Sequence, residues 1–241
     1  VPDALDRRDD EGRRLSGPGR FAGLDVPAIS VLWYRAITGF ALDMPDWLRQ
    51  FAAIATDAVV IVFAVGMLGV WWRTRRGDPR ALAVAVLGPA GVAVAYLVGE
   101  ALNSVVREQR PCAALIQATI VGCPPPGDWS FPGNHSVVAG AAGVAVVLVC
   151  RAAVFWVVPV AVLAALSRVV VGVHYLHDVA AGLALGGVVT LLVVLPLRRL
   201  VARLIGRRCS RPRRRGFGTP VGRGPEPSSS PAEGRSRAGF R

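Results

Sequence analysis

The sequence predicts an all-α, polytopic transmembrane protein, and three observations carry that reading. Hydrophobic residues make up 53% of the 241, with a mean hydropathy of +0.46, too apolar for an ordinary soluble domain. The apolar residues fall into runs long enough to cross a bilayer, which takes about 20 residues rising about 1.5 Å each. Short polar segments between the runs gather the ionisable side chains, including all 3 histidines, His135, His174 and His177. Ionisable groups at the edge of a bilayer are costly and mark function.

Residues 1–20 are charged and lack an apolar core, so a flexible N-terminus without a cleavable signal peptide is expected. Residues 21–51 mix Ile29, Val31, Leu32, Trp33 and Ile37 with Arg35, Asp43 and Asp46. An amphipathic helix lying in the interface fits that mixture better than a sixth span. Residues 52–72, 81–98 and 179–197 each qualify as spans, the second running on as helix toward Val106. Residues 136–166 are interrupted by Arg151. A single helix over that stretch would measure about 46 Å, beyond the hydrocarbon core of about 30 Å. A hairpin of two short spans turning at Arg151 is expected, the second bent near Pro159. The result is a transmembrane domain over 52–200 with five spans, or six if the interfacial segment crosses. From residue 201 the chain becomes rich in Arg, Pro, Gly and Ser, the composition of a disordered tail.

The formal charge is +12 and every basic residue is arginine. Residues 198–241 hold 13 arginines against Glu226 and Glu233. Directly after a span, such a tail reads as a cytoplasmic anchor on anionic lipid, with nucleic acid not expected as a partner. The loop carrying Arg73, Arg75, Arg76 and Arg80 belongs on the same side, with Trp71 and Trp72 at the interface. Counting crossings then brings 107–135 and 167–178 together on the extracytoplasmic face of the cell membrane. Cys112 and Cys123 flank one of these loops. They form a disulfide if the compartment is oxidising, and two free thiols are the equal alternative.

The shared face contains Arg107, Arg110, Gly133, Asn134, His135, Ser167, Arg168, His174 and Asp178. Converging guanidinium groups suit an anion with several oxygens, such as phosphate, because they bind bidentately. His135 opens an apolar helix behind residues 132–134, where free N–H groups and the positive helix end favour anions. His174 and Asp178 are four residues apart and share a face once a helix has begun. A carboxylate accepting from one imidazole nitrogen leaves the other free as nucleophile or base. His174, His177 and Asp178 offer ligands to a metal, but the neighbouring arginines repel a cation, and His177 reads as structural. Glu100 either pairs with an arginine near 107–110 or stays structural. Asp57 either caps its helix or faces the site.

Arg110-Pro111, Pro132-Gly133-Asn134-His135 and Ser167-Arg168-(five residues)-His174-(three residues)-Asp178 resemble the three signature motifs of the type 2 phosphatidic acid phosphatase (PAP2) superfamily. The resemblance covers roughly residues 52–197. It implies an integral-membrane phosphatase acting through a phosphohistidine. His174 would attack phosphorus, Asp178 would orient it, and His135 would protonate the leaving oxygen and then activate water. Arg110 and Arg168 would hold the non-bridging oxygens, with Ser167 supporting that site. No metal or other cofactor is implied, because the arginines offset the charge. Asn103 stands where the family has a lysine, and Arg107, a helical turn on, is a candidate replacement for that cation. Gly133 replaces the usual serine and offers its backbone N–H. Asn134 replaces glycine, as in some members acting on isoprenoid diphosphates. The expected substrate is therefore a polyprenyl (undecaprenyl-type) diphosphate or related lipid phosphate of the cell envelope. Phosphatidic acid or phosphatidylglycerol phosphate is the alternative, and a non-catalytic lipid-binding protein is the alternative of another class.

Overall fold

The structure, a computed structural model, describes residues 20–21 and 24–209. Residues 1–19 of the flexible N-terminus expected over 1–20, and the tail from residue 210 onward, lie outside the described residues. The regular elements of the described chain are helices apart from a two-residue ladder, β1 (Arg20–Phe21) with β2 (Leu24–Asp25), and residues 115–133 form a loop. The helices are α1 (Ala28–Leu42), α2 (Asp46–Thr74), α3 (Pro79–Val106), a single turn α4 (Pro111–Ala114), α5 (Asn134–Val149), α6 (Val154–Val170) and α7 (Leu176–Cys209).

Four stretches are long and apolar enough to cross a membrane: Asp46–Thr74, Pro79–Ala114, Arg151–Val170 and Leu176–Arg207. Helix α5 has 16 residues and reaches about 24 Å. It is shorter than those four and packs along α3 and α7. The expected turnback is present: α5 ends at Val149, a 3₁₀ turn covers Arg151–Ala153, and α6 returns. Arg151 is exposed there, which suits a charge placed where two apolar helices reverse.

Residues 21–51 do not form one interfacial helix. Helix α1 stops at Leu42, with Asp43 at its C-cap, and α2 begins at Asp46 behind Pro45. Proline fixes φ and lacks an N–H, so it suits the start of a helix and not its interior. Residues 46–51 therefore belong to the first long span. Helix α1 buries Ser30, Tyr34, Thr38 and Ala41 and exposes Ile29, Leu32, Trp33 and Phe40. A soluble helix does the reverse; polar-in and apolar-out is the pattern of a helix facing lipid. Helix α7 continues past Leu197 to Cys209, because Leu200, Val201, Ala202, Leu204 and Ile205 alternate with arginines and hold the helical period.

The centre is a three-helix contact of α3, α5 and α7, with α2 and α6 packed outside. Backbones approach very closely between α5 and α7. A Cβ on Gly186 would lie 2.0 Å from the Val137 carbonyl oxygen, and one on Gly140 would lie 2.2 Å from that of Leu183. Only glycine fits, and small residues at such contacts are how helices associate in lipid. This contact joins the helix that His135 opens to the helix that follows His174.

Candidate active site

His174 lies in the short connection between α6 and α7, which Tyr34 of α1 braces by donating to the Gly172 carbonyl oxygen at 2.9 Å. Gly172 has φ +91°, a conformation that favours glycine. A Cβ there would also meet Thr119 Cγ2 at 2.6 Å. Helix α7 starts at Leu176, and Asp178 in its first turn reaches back to accept from the Tyr175 N–H at 2.9 Å. This is the acidic half of a capping box, and it places the carboxylate beneath the His174 ring.

The ring is held from both sides. Arg110 Nη1 lies 3.0 Å from His174 Nε2 and also donates to the Val173 carbonyl at 3.1 Å. A guanidinium only donates, so Nε2 carries the lone pair and Nδ1 the proton. Asp178 Oδ2 is 3.6 Å from Nδ1, too far for a direct hydrogen bond. Ser130 bridges them: its hydroxyl donates to Asp178 Oδ2 at 2.5 Å and lies 3.3 Å from Nδ1, from which it accepts. His174, Asp178 and Ser130 are all buried. Burial pushes the His174 imidazole below its ordinary range; the nearby Asp178 carboxylate opposes this, and the Arg110 guanidinium adds to it.

Arg110 is itself fixed by Asp128, which accepts from Nη2 at 2.9 Å through Oδ1 and from Nε at 3.1 Å through its carbonyl. Across from it, Asp57 Oδ1 lies 3.3 Å from Arg168 Nη1 and 3.5 Å from His135 Nε2. The buried Arg168 Nε has no hydrogen-bond partner. Arg110, Asp128, Asn134, His135, Arg168 and His174 together line a cavity of about 360 Å³, with Val60, Tyr96, Pro124 and Val138 as its less polar wall.

Both imidazoles and both motif arginines therefore meet in one cavity, as the hairpin arrangement requires. Asp178 stands behind His174, and Asn134 lines the cavity while donating to Glu100 Oε1 at 2.5 Å. Glu100 thus pairs with Asn134 and not with an arginine. Four expected phosphate ligands are placed differently. Asn103 is buried and donates to the Trp129 carbonyl at 3.1 Å, so it anchors the loop. Arg107 is exposed, folds back on the Ser104 carbonyl at 2.9 Å and caps α3 with φ 50°. The left-handed cap ends the helical period, so 103, 107 and 110 do not share a face. Ser167 donates to Ala164 O at 2.7 Å and lies 2.8 Å from Thr56 Oγ1, fastening α6 to α2. The Gly133 N–H donates to the Asp178 carbonyl at 3.2 Å, tying the second and third motifs together.

His177 lies 3.0 Å from Ser30 Oγ and 3.0 Å from Glu108 Oε1, and stacks on Tyr175 and Phe131. Ser130 and Asp128 escaped sequence reasoning because each is a common loop residue outside the motif spacing. Asp57 carried a signal, being an acid within an apolar run. Cys112 and Cys123 form a disulfide, deciding between the two alternatives.

Arg110, Arg168, His135 and His174 thus converge on one cavity at one end of the helical bundle of an integral-membrane protein. Residues 83–201 match the PAP2 superfamily, and the chain carries a PAP2-superfamily domain. It is 26% identical over 186 residues to an undecaprenyl-diphosphatase of Sulfolobus acidocaldarius, covering 75% of this chain and 82% of that protein. It is 36% identical over 106 residues to a decaprenylphosphoryl-5-phosphoribose phosphatase of Mycobacterium tuberculosis, covering 43% of this chain and 56% of that one. The fold is also that of a transmembrane PAP2-type phosphatidylglycerolphosphate phosphatase from Bacillus subtilis, with a TM-score of 0.52 at 20% identity, covering 78% of this chain and 90% of the other.

Proposed function

We propose that this chain is a lipid phosphatase that transfers a phosphoryl group to His174 and then to water. The observation that carries the proposal is the lone pair of buried His174 Nε2, held by Arg110 at the wall of a cavity shared with His135 and Arg168. An incoming phosphate takes over the Arg110 Nη1 donor, which frees Nε2 to attack phosphorus. The P–N bond forms as the bond to the leaving oxygen breaks, and His135 supplies the proton to that oxygen. Arg110 and Arg168 stabilise the charge on the non-bridging oxygens, the unpartnered Arg168 Nε being free to donate. In the second half, His135 takes a proton from water, the resulting hydroxide displaces His174 from phosphorus, and inorganic phosphate leaves. The Nδ1 proton stays with the ring, facing Ser130 and Asp178.

A polyprenyl diphosphate, or another phosphate on a polyprenyl carrier, is the preferred substrate. Both sequence relatives bear names of that kind, and Asn134 lines the cavity. The active end faces the extracytoplasmic side of the cell membrane: arginines crowd the opposite end, and a disulfide sits at this one. The test is phosphate release in detergent from undecaprenyl diphosphate, undecaprenyl monophosphate, a decaprenylphosphoryl phosphoribose, phosphatidylglycerol phosphate and phosphatidic acid, with His174→Ala as control. Release from a polyprenyl substrate at the highest kcat/KM, abolished in the control, is expected. Release that survives His174→Ala would remove the mechanism. A higher kcat/KM on a glycerolipid would remove the substrate assignment alone.

A further inference from the structure

A cavity of about 830 Å³ lies at the other end of the bundle, between the start of α3, the end of α5 and the last turns of α7. From Leu176 beside the active site to Arg198, α7 rises about 33 Å, so this cavity opens at the opposite face of the bilayer. Arg80, Arg198, Arg199 and Arg203 line it, with Asp78 as the sole acid. Asp78 Oδ1 is engaged in capping α3 through the Arg80 N–H at 3.0 Å. Among the described residues none of the four guanidinium groups forms an ion pair. Beneath them the lining turns apolar, with Val84, Leu148 and Val149, which belong to a core cluster with Leu87 and Val194.

We propose that this cavity binds the headgroup of an anionic phospholipid from the leaflet opposite the active site. Several guanidinium groups in one concave surface, with no ion pair among the described residues, match the oxygens of a phosphodiester. The apolar floor of Val84, Leu148 and Val149 accepts the first methylenes of an acyl chain, which a free phosphate ion lacks. A zwitterionic lipid would bring its own cation into the same cluster of arginines, so a net negative headgroup is selected.

The test counts lipid retained by the full-length protein in mild detergent, by native mass spectrometry, after incubation with mixed micelles of phosphatidylglycerol and phosphatidylcholine. The parent is expected to keep phosphatidylglycerol in preference to phosphatidylcholine. Replacing all four arginines (R80Q, R198Q, R199Q, R203Q) is expected to lower that retention at least about tenfold, with phosphate release unchanged. Every arginine from Arg207 onward remains in that variant, so undiminished retention, the outcome that attachment through those residues alone predicts, would overturn the proposal. Equal retention of the two lipids by the parent would overturn it as well, as would full displacement by inorganic phosphate, which would reassign the site to the free ion. If the quadruple variant fails to fold, R198Q with R203Q and the salt dependence of the parent give the same decision: retention must fall in both. Lipid retention is read without turnover, so its failure is distinct from failure of the phosphatase reading.

Discussion

His174 is oriented by a chain of three groups and not by a direct carboxylate contact. Ser130 stands between its Nδ1 and Asp178, so removing the hydroxyl leaves the ring without its nearest acceptor. In Ser130→Ala, kcat is expected to fall about tenfold with KM little changed, the loss of one buried hydrogen bond; kcat equal to the parent would show that the bridge is idle. Arg110 and Arg107 provide a contrast. Arg110→Ala should lower kcat/KM by about 10²–10³, the usual cost of removing a donor to a developing oxyanion. Arg107→Ala should leave it within about twofold, because that side chain is exposed and bonded to its own helix. Burial also has a pH consequence. His174 is held below the ordinary imidazole range, so it is neutral and nucleophilic at neutral pH. Protonation removes the lone pair, and the acid limb of kcat/KM belonging to this ring should lie below about 6.5. A limb for it above that value would contradict the buried placement.

At the scale of elements, the site depends on two helices meeting backbone to backbone. Gly186→Val places a side chain where the Val137 carbonyl already lies, which separates α5 from α7 and moves His135 relative to His174. A loss of about 1–3 kcal/mol is expected from overpacking alone, read as a lowered Tm in detergent, with phosphate release falling further than stability does. Unchanged Tm would mean that the helices are not so close. The interfacial segment was legible in the sequence as an amphipathic stretch, but its division was not. Composition spreads Asp43 and Asp46 through one mixed segment, whereas Pro45 makes the break between α1 and α2. The role of α1 was equally hidden. Its Tyr34 reaches a carbonyl 138 residues away in sequence, and no local pattern announces such a contact.

At the scale of the molecule, the bundle has two chemically different ends. One holds both imidazoles, Asp57, Arg110, Arg168 and the disulfide; the other holds the turn at Arg151, the exposed Cys150 and the arginine-lined cavity. Sidedness can be read from that difference. In a Cys209→Ser background, a membrane-impermeant maleimide should label Cys150 in lysed cells and not in intact ones. Labelling of intact cells would invert the orientation.

The sequence by itself determined the helical membrane class, the turnback at Arg151 and the convergence of His135, His174, Arg110 and Arg168. Apolar run length and charge interruption act locally, and counting crossings is enough to bring loops to one face. Tertiary structure alone decided which side chains near those motifs reach the cavity. It directed Asn103, Ser167 and the Gly133 N–H to other partners, turned Arg107 outward, and brought in Asp57, Asp128 and Ser130. Direction and partnership of a side chain depend on what packs against it from distant parts of the chain, and spacing along one segment carries no record of that.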